Sequence, residues 1–469
     1  MGFYYMKPTV FKTTNNNYYL YSPNKRRVIP ISMHLYDAFL KNPSLILNDE
    51  FGAYLHDNGY LDEYQESYNG LIDESDIINA LSNIPQIIFE MTSQCNLKCK
   101  YCCYNDCYTT FQNREEGVIS FETAKAVIDF VASVCNDRNN SSVNSPLVFS
   151  FYGGEPLLYG DKIKEIVNYI KSKDFHNRVV KFSITTNATL IHKHIDFLAE
   201  NQFAILVSLD GDSQHNANRV FHNNQPTFDT VFRNLKYCQN SYPEFFKTIR
   251  FNSVYTNASV TDEIIEFFLS SFGKYPTFSP LHEPQESQNA YIIKDLIKKI
   301  EPPTDIRHSF NPQFFIELPI HKKVAHVLSK LINNSYVFEW QLTDENDNKV
   351  PTSTCVPFSK KLYVTSNGDL IQCEKINRDC PIGTVRGGKV KINAKAVADQ
   401  YNQKVYEHIN VCNKCYFQQA CNQCAFSIDN RCTQFMTQEA FAENLAEVFS
   451  YIENHPEIIE LINKNLILH

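Results

Sequence analysis

Between residues 85 and 280 the chain alternates between two hydrophobic rhythms. Short apolar runs, rich in β-branched and aromatic residues, fall near 85–91, 147–152, 180–186, 203–209, 248–255 and 276–280. Apolar positions three and four apart fill 121–135, 161–173, 190–200, 228–238 and 261–272. The first rhythm is that of a buried strand and the second that of an amphipathic helix. Strands separated by helices predict an α/β fold with a parallel sheet, and six such units make a partial (β/α)6 parallel barrel. In such barrels the working residues gather at the carboxyl ends of the strands, where the polar motifs of this chain lie.

The flanks read differently. Asn17–Ser22 and Arg27–Ile31, with Pro23-Asn24 between them, predict a β-hairpin, and Met33–Leu40 and Asn48–Leu55 predict two short helices, the second stopped by Asp57-Asn58-Gly59. These first 80 residues are expected to form a small separate domain. Between 283 and 350, Glu283-Pro284, Pro302-Pro303 and the polar run Asp344–Asn348 mark loops around one amphipathic helix, His321–Ile332, and read as barrel completion and linker. Gln438–Leu468 has helical spacing and is expected to pack on the barrel.

Composition narrows the class. With 43% hydrophobic and 20% charged residues the chain is an ordinary globular sequence, and a net charge of −8 offers no general attraction for nucleic acid. No run approaches the roughly 20 apolar residues that cross a bilayer, and the N-terminus lacks a signal-peptide core, so a cytoplasmic location without membrane contact is expected. Fifteen cysteines in such a chain read as metal ligands in a reducing compartment. They fall in one group near residue 100 and another between 355 and 432, with Cys135 and Cys238 on apolar helix faces and Cys103 and Cys107 matching no motif.

Cys95, Cys99 and Cys102 are spaced C-x3-C-x2-C directly after the apolar run Ile84–Met91. Three thiolates can hold three corners of a cubane cluster and leave one iron open, although a partial zinc site or buried structural cysteines fit the triplet too. Downstream come Gly153-Gly154-Glu155-Pro156, then Thr185-Thr186-Asn187, then Ser208-Leu209-Asp210-Gly211 followed by His215 and Arg219. With Tyr101 ahead of the last cysteine of the triplet, this succession resembles the radical SAM enzymes.

The resemblance implies that Cys95, Cys99 and Cys102 ligate a [4Fe-4S] cluster whose open iron is chelated by S-adenosylmethionine (SAM). It further implies that a 5′-deoxyadenosyl radical abstracts hydrogen from the substrate. Cofactor contacts are then expected from Tyr101, Gly153, Gly154, Glu155, Pro156, Thr186, Asn187, Ser208 and Arg219. Among these, Glu155 would meet the SAM ammonium, and Ser208 and Arg219 the ribose and carboxylate. A plain turn explains the glycine pair as well, and a strand-end Asn is an ordinary turn residue. Asp210 and His215 fit equally as structural caps and are assigned no step.

The second cysteine group, Cys355, Cys373, Cys412-x2-Cys415-x5-Cys421-x2-Cys424 and Cys432, resembles the SPASM extension. That implies two auxiliary [4Fe-4S] clusters, one on Cys412, Cys415, Cys421 and Cys432 and the other on Cys355, Cys373 and Cys424. A zinc ribbon is the alternative. The last spacing is two residues where the family has three, and the second set lacks a fourth ligand. Cys380 or a substrate thiolate is expected to supply it. The first 80 residues resemble winged-helix, PqqD-like precursor-recognition domains, which add a peptide as a strand to a sheet edge, with a packing extension of the barrel as the plainer reading. The resulting domain expectation is recognition domain at 1–80, barrel at 81–340, SPASM domain at 341–440 and C-terminal helix at 441–469.

SPASM extensions accompany enzymes that modify peptides, so the expected activity is radical SAM maturation of a ribosomally synthesised precursor (RiPP biosynthesis), with a thioether crosslink favoured. Formylglycine generation in a sulfatase, peptide epimerisation and C–C or C–O crosslinking are alternatives of the same chemistry, and a non-catalytic metal-dependent peptide-binding protein is the alternative class. A flavodoxin- or ferredoxin-type electron donor is the implied redox partner.

Overall fold

A computed structural model describes residues 5–64, 71–102, 104, 117–281, 290–330, 352–376, 378–427, 432 and 434–466. Cys103, Cys107, Glu283-Pro284 and the Asp344–Asn348 run lie outside the described residues. The chain divides into two compact units: Met1–Leu71 with Arg307–Thr354 and Asn402–His469, and Ile72–Ile306 with Cys355–Tyr401.

In the first unit, β1 (Thr9–Lys12), β2 (Tyr18–Ser22) and β3 (Arg27–Ile31) form an antiparallel meander in that order. The predicted hairpin is β2–β3, with Tyr18 opposite Ile31 and Ser22 opposite Arg27. β1 was not foreseen from the pattern. Successive side chains point to opposite faces, and here both faces are apolar. Val10, Leu20 and Ile31 pack with Leu35, Ile46 and Leu55 from the helices Met33–Lys41 and Glu50–Asp57 and the turn between them. Phe11, Tyr19 and Tyr21 face the other way and pack with Phe441, Leu445, Val448 and Phe449.

That second contact changes the expectation for the C-terminus. The helix Gln438–Asn454, expected on the barrel, covers the open face of the N-terminal sheet, with Phe449 5.3 Å from both Phe11 and Tyr19. Thr14 N donates to Ser450 Oγ at 3.0 Å and Tyr19 Oη to Glu453 at 2.8 Å. A second helix, Glu457–Leu466, follows a break at His455-Pro456. Proline disfavours helical backbone in the residue before it, and His455 sits at φ −138°.

The second unit is built on one ten-stranded sheet. Its core is the parallel run β4 (Gln86–Thr92), β5 (Pro146–Gly153), β6 (Val179–Thr186), β7 (Ala204–Ser208), β8 (Arg250–Tyr255) and β9 (Thr277–Pro280), in sequence order. All six predicted strands are present, as are helices at Phe121–Cys135, Gly160–Lys171, Phe228–Ser241 and Thr261–Phe272. The predicted 190–200 helix is a 3-10 turn followed by the short helix Ile195–Glu200. This is a largely parallel α/β sheet consistent with a partial barrel. Four short strands extend it beyond β4: β10 (Leu362–Val364), parallel to β4, then antiparallel β11 (Asp369–Ile371), β12 (Gly383–Arg386) and β13 (Lys389–Lys391).

The two faces of this sheet differ. Phe89, Phe149 and Phe151 are fully buried and pack with one another, joined by Phe175 and Phe203. The opposite face carries polar pairs, with Gln86 Nε2 on Ser150 Oγ at 2.7 Å and Ser150 Oγ on Ser183 Oγ at 2.6 Å, beside a small apolar cluster of Ile88, Tyr363 and Ile371. Among the described residues no helix is long and apolar enough to cross a membrane.

Candidate active site

The sequence motifs converge at the carboxyl ends of β4 to β7. After Thr92 the chain leaves β4 and runs through Cys95, Cys99 and Cys102. One side of this loop is stitched to the segment 218–222. Lys98 N donates to Val220 O at 2.7 Å, Lys100 N to Asn218 O at 3.0 Å, and His222 Nε2 lies 2.8 Å from Cys95 O. The other side meets the glycine pair. Gly154 N donates to Thr92 O at 2.8 Å and Glu155 N to Gln94 O at 2.9 Å. A Cβ on Gly153 would stand 2.3 Å from Thr92 O and one on Gly154 2.0 Å from Gln94 O, and Gly153 has φ +128°. Only glycine permits that approach and that backbone. Pro156 begins the short turn Pro156–Tyr159 that follows.

Glu155 is fully buried, and its carboxylate ties its own turn to the end of β6. Its Oε1 accepts from Leu157 N at 3.0 Å and Thr186 Oγ1 at 2.8 Å, and its Oε2 from Asn187 N at 2.7 Å. Burial pushes its carboxyl up to about 7, against the pull of those donors. A carboxylate oxygen can take two donors, so Oε2 retains acceptor capacity. Asn187 in turn reaches the cysteine loop. Its Nδ2 lies 2.9 Å from Asn96 Oδ1 and 3.7 Å from Cys95 Sγ, and Asn96 Nδ2 donates to Thr189 Oγ1 at 2.8 Å.

A second buried group lies against Cys99. Asp210 Oδ1 accepts from Arg219 Nε and Nη2, both at 3.0 Å, and from Val254 N at 3.0 Å. Its Oδ2 accepts from the Tyr101 hydroxyl. The Arg219 guanidinium stands 5.4 Å from the centre of the Tyr101 ring and hydrogen-bonds the Cys99 thiol. One edge of the arginine fork, expected on a cofactor carboxylate, is thus taken by Asp210. Ser208 ends β7, opposite Asn252 of β8. His215, matched by the motif, is buried between Asp212 at 2.8 Å and Glu263 at 3.5 Å, a local structural role.

Residues 89–268 match the Radical SAM superfamily. This segment is a radical SAM domain. Over 214 residues the chain is 27% identical to a cysteine-type anaerobic sulfatase-maturating enzyme of Clostridium novyi, covering 44% of this chain and 54% of that protein. Over 232 residues it is 24% identical to the radical SAM cyclopropyl synthase TigE of Paramaledivibacter caminithermalis, covering 46% and 45%. The chain thus spans about half the length of these curated relatives. A solved structure described as native anSMEcpe with bound AdoMet and Cp18Cys peptide superposes with a TM-score of 0.54 at 18% identity, over 81% of this chain and 99% of that one. At that identity the likeness is one of fold.

The radical SAM family uses a [4Fe-4S] cluster and SAM. The residues present fit that group. Burial pushes the Cys95 thiol up to about 12, with Cys99 and Cys102 raising it further, and takes Cys99 to about 11, with Cys102 adding to it and Arg219 pulling the other way. Such thiols stay protonated until iron displaces the proton, the behaviour of a cluster cradle. Among the described residues no three His, Cys, Asp or Glu side chains converge on a single-ion position. A cubane takes one thiolate per iron, so its ligands need not converge on one point.

Outside the radical SAM domain, Cys412, Cys415, Cys421 and Cys432 lie in the first unit, near enough for their thiols to influence one another. Burial pushes Cys412 up to about 12, and the other three thiols raise it further. Burial also takes Cys421 up to about 11, with Cys415 and Cys432 adding to it. Cys424 lies in the same unit, where the next residue, Ala425, donates its N–H to Thr354 Oγ1 at 2.7 Å. Cys355, Cys373 and Cys380 belong to the second unit. Cys355 is exposed, its carbonyl accepting from Gln372 Nε2. Cys373 lies 3.4 Å from Glu374 Oε2, and Cys380 is half-buried. Cys135 and Cys238 are buried, as expected of core positions.

The motifs did not reveal Glu90. It is fully buried on β4, pairs with Arg378 at 2.5 Å, and accepts from Ser366 N at 3.0 Å. It thereby holds the loop between Cys373 and Cys380 against the core strand. A lone acid in an apolar strand run was the available signal.

Proposed function

We propose that this protein is a radical SAM maturase that installs an intramolecular crosslink, a thioether first, in a ribosomally made precursor peptide. The observation that carries the proposal is the gathering of Cys95, Cys99 and Cys102 beside Glu155, Asn187 and Arg219 at one edge of a parallel sheet. When bound, the cluster and SAM supply one-electron reduction and abstraction of hydrogen from an unactivated C–H bond. The chain's own residues do the positioning. Gly153 and Gly154 let the second strand end lie directly on the cysteine loop, and Asn187 clamps that loop from the third. Glu155, once ionised, would hold the SAM ammonium through its remaining acceptor site, and Ser208 and Arg219 would meet the ribose and carboxylate.

Peptide substrates are supported by the relatives, which include a sulfatase-maturating enzyme. The four gathered thiols of the first unit support one auxiliary cluster, and Cys355, Cys373 and Cys424 are read as ligands of another. Cys380→Ala with unchanged iron content is the result expected if substrate, and not Cys380, completes that second set. The β1–β2–β3 meander with its following helices supports a PqqD-like reading, with a leader peptide added along β3, whose only strand partner among the described residues is β2.

The test is mass spectrometry of a Cys-containing precursor after anaerobic incubation with reconstituted protein, SAM and reductant. Loss of two hydrogens per bond, with that thiol no longer alkylatable, is the expected result. A second reading, formylglycine formation, is favoured by the similarity to the Clostridium novyi enzyme. It would appear instead as a hydrazide-reactive aldehyde at the former cysteine.

A further inference from the structure

Asp210 holds two residues at the cluster loop, Tyr101 within it and Arg219 beside it. Through Oδ1 it fixes the Nε and Nη2 of Arg219, and through Oδ2 the hydroxyl of Tyr101, which sits between Cys99 and Cys102. It is itself over-determined. Val254 N donates to Oδ1 at 3.0 Å, Ser253 Oγ to its carbonyl at 2.8 Å, and the side chain is 1% exposed. Arg219 is 9% exposed and stands over the Tyr101 ring, so the guanidinium has little freedom to turn away from Cys99.

Two features of this group bear on electron affinity. The potential of an iron-sulfur cluster follows the net charge around it and the hydrogen bonds to its sulfurs. Arg219 supplies both a positive charge and a donor at Cys99, and Asp210 cancels the charge while keeping the donor aimed. In a dry site such a charge acts with little screening.

We infer that Asp210 is a positioning residue that sets the reduction potential of the cluster held by Cys95, Cys99 and Cys102, by neutralising Arg219 while holding it on the Cys99 sulfur. The inference rests on the radical SAM reading of those three cysteines. Without Asp210 the uncompensated guanidinium makes the cluster easier to reduce, and without Arg219 the cluster becomes harder to reduce.

The experiment is an EPR-monitored redox titration of the reconstituted full chain, following the signal that changes on SAM addition. D210N is expected to retain the iron of that cluster and to move its midpoint potential positive. R219M is expected to move it negative. Y101F, which removes one hydroxyl and no charge, is expected to leave it near the wild-type value, and D210E to restore it. Unchanged potentials in D210N and R219M, with full iron, would overturn the inference and leave Asp210 a structural tie. So would a Y101F shift as large as that of D210N, which would make loop geometry and not charge the cause. If D210N does not load iron, the sign of the R219M shift decides. The underlying reading fails separately, if C99A keeps the SAM-responsive signal.

Discussion

Two groups of cysteines in this chain have opposite surroundings. Cys95, Cys99 and Cys102 are flanked by side chains delivered from other strand ends: Asn187 from β6, and Arg219 and Asp210 from beyond β7. Cys412, Cys415, Cys421 and Cys432 meet mainly one another and backbone N–H groups such as that of Met436, 3.4 Å from Cys415 Sγ. Three thiols within a polar frame leave a coordination position and the groups to orient what fills it. Four thiols with backbone donors make a closed set. Under the proposed function, the first set is the one that does chemistry and the second stores electrons or stabilises its unit.

Removing one thiol from each set gives the largest expected effects and tests that separation. Cys99→Ala should abolish SAM cleavage to 5′-deoxyadenosine while leaving the iron of the other set in place. Cys412→Ala should lose iron and lower thermal stability, yet keep the SAM-responsive EPR signal. Both are read by iron content and EPR on the same preparations. If C412A loses the SAM-responsive signal and C99A does not, the roles of the two sets are reversed.

The next effect concerns how the second unit's outer strands are held. Glu90→Gln breaks a buried ion pair and leaves Arg378 without its counter-charge, a change that costs about 3–5 kcal/mol. Thermal unfolding should report it. A loss under about 1 kcal/mol, the range of an exposed pair, would mean that water already reaches Arg378.

Much of the core was legible in advance, because each of its six strands is a short apolar run set between helical patterns. The site was legible as far as its residues sit at strand ends, which fixed Glu155, Thr186 and Asn187 in one place. What escaped has a common cause. β10, β11 and β13 are three residues long, too short to show a period, and β1 is only four. The docking of Gln438–Asn454 on the N-terminal sheet depends on that sheet being apolar on both faces. Val10 beside Phe11 and Leu20 beside Tyr21 carried that signal, but not the identity of the partner. The ties from Asp210 to Tyr101 and from Glu90 to Arg378 join residues 109 and 288 positions apart, and no local pattern encodes them.

The buried titrating groups extend the contrast to pH. In the first unit His321 is enclosed, with Phe315 O 3.0 Å from Nδ1 and Tyr451 Oη 2.7 Å from Nε2, and burial pulls its pKa down to about 4. Above pH 6.5 the ring is neutral in both folded and unfolded chains and contributes nothing to pH dependence. As pH falls below 6.5 the unfolded chain takes up a proton that the folded chain refuses, so stability drops, by about 2 kcal/mol at pH 5. The loss levels off below pH 4. Denaturant unfolding from pH 7 to pH 5 should show this slope, and His321→Asn should flatten it. A slope unchanged in the variant would place the titrating group elsewhere.

In the radical SAM domain the corresponding group is Glu155, and its expected effect is the smallest. Its carboxyl, pushed up to about 7 by burial, is mostly neutral at pH 6 and mostly ionised at pH 8. Only the ionised form attracts an ammonium, so the affinity for SAM should rise with pH, by about tenfold between those values. Equilibrium dialysis of the reconstituted protein at fixed salt measures it, with Glu155→Gln expected to bind more weakly and without that rise. If the wild-type affinity is flat across the range, then the carboxyl of the SAM-free protein is already ionised at pH 6 or the ammonium lies elsewhere. The Glu155→Gln variant separates those cases, since only a carboxylate in contact with the ammonium weakens binding when its charge is removed. A flat and unweakened variant would leave Glu155 as the tie between the second and third strand ends that its three hydrogen bonds already make it.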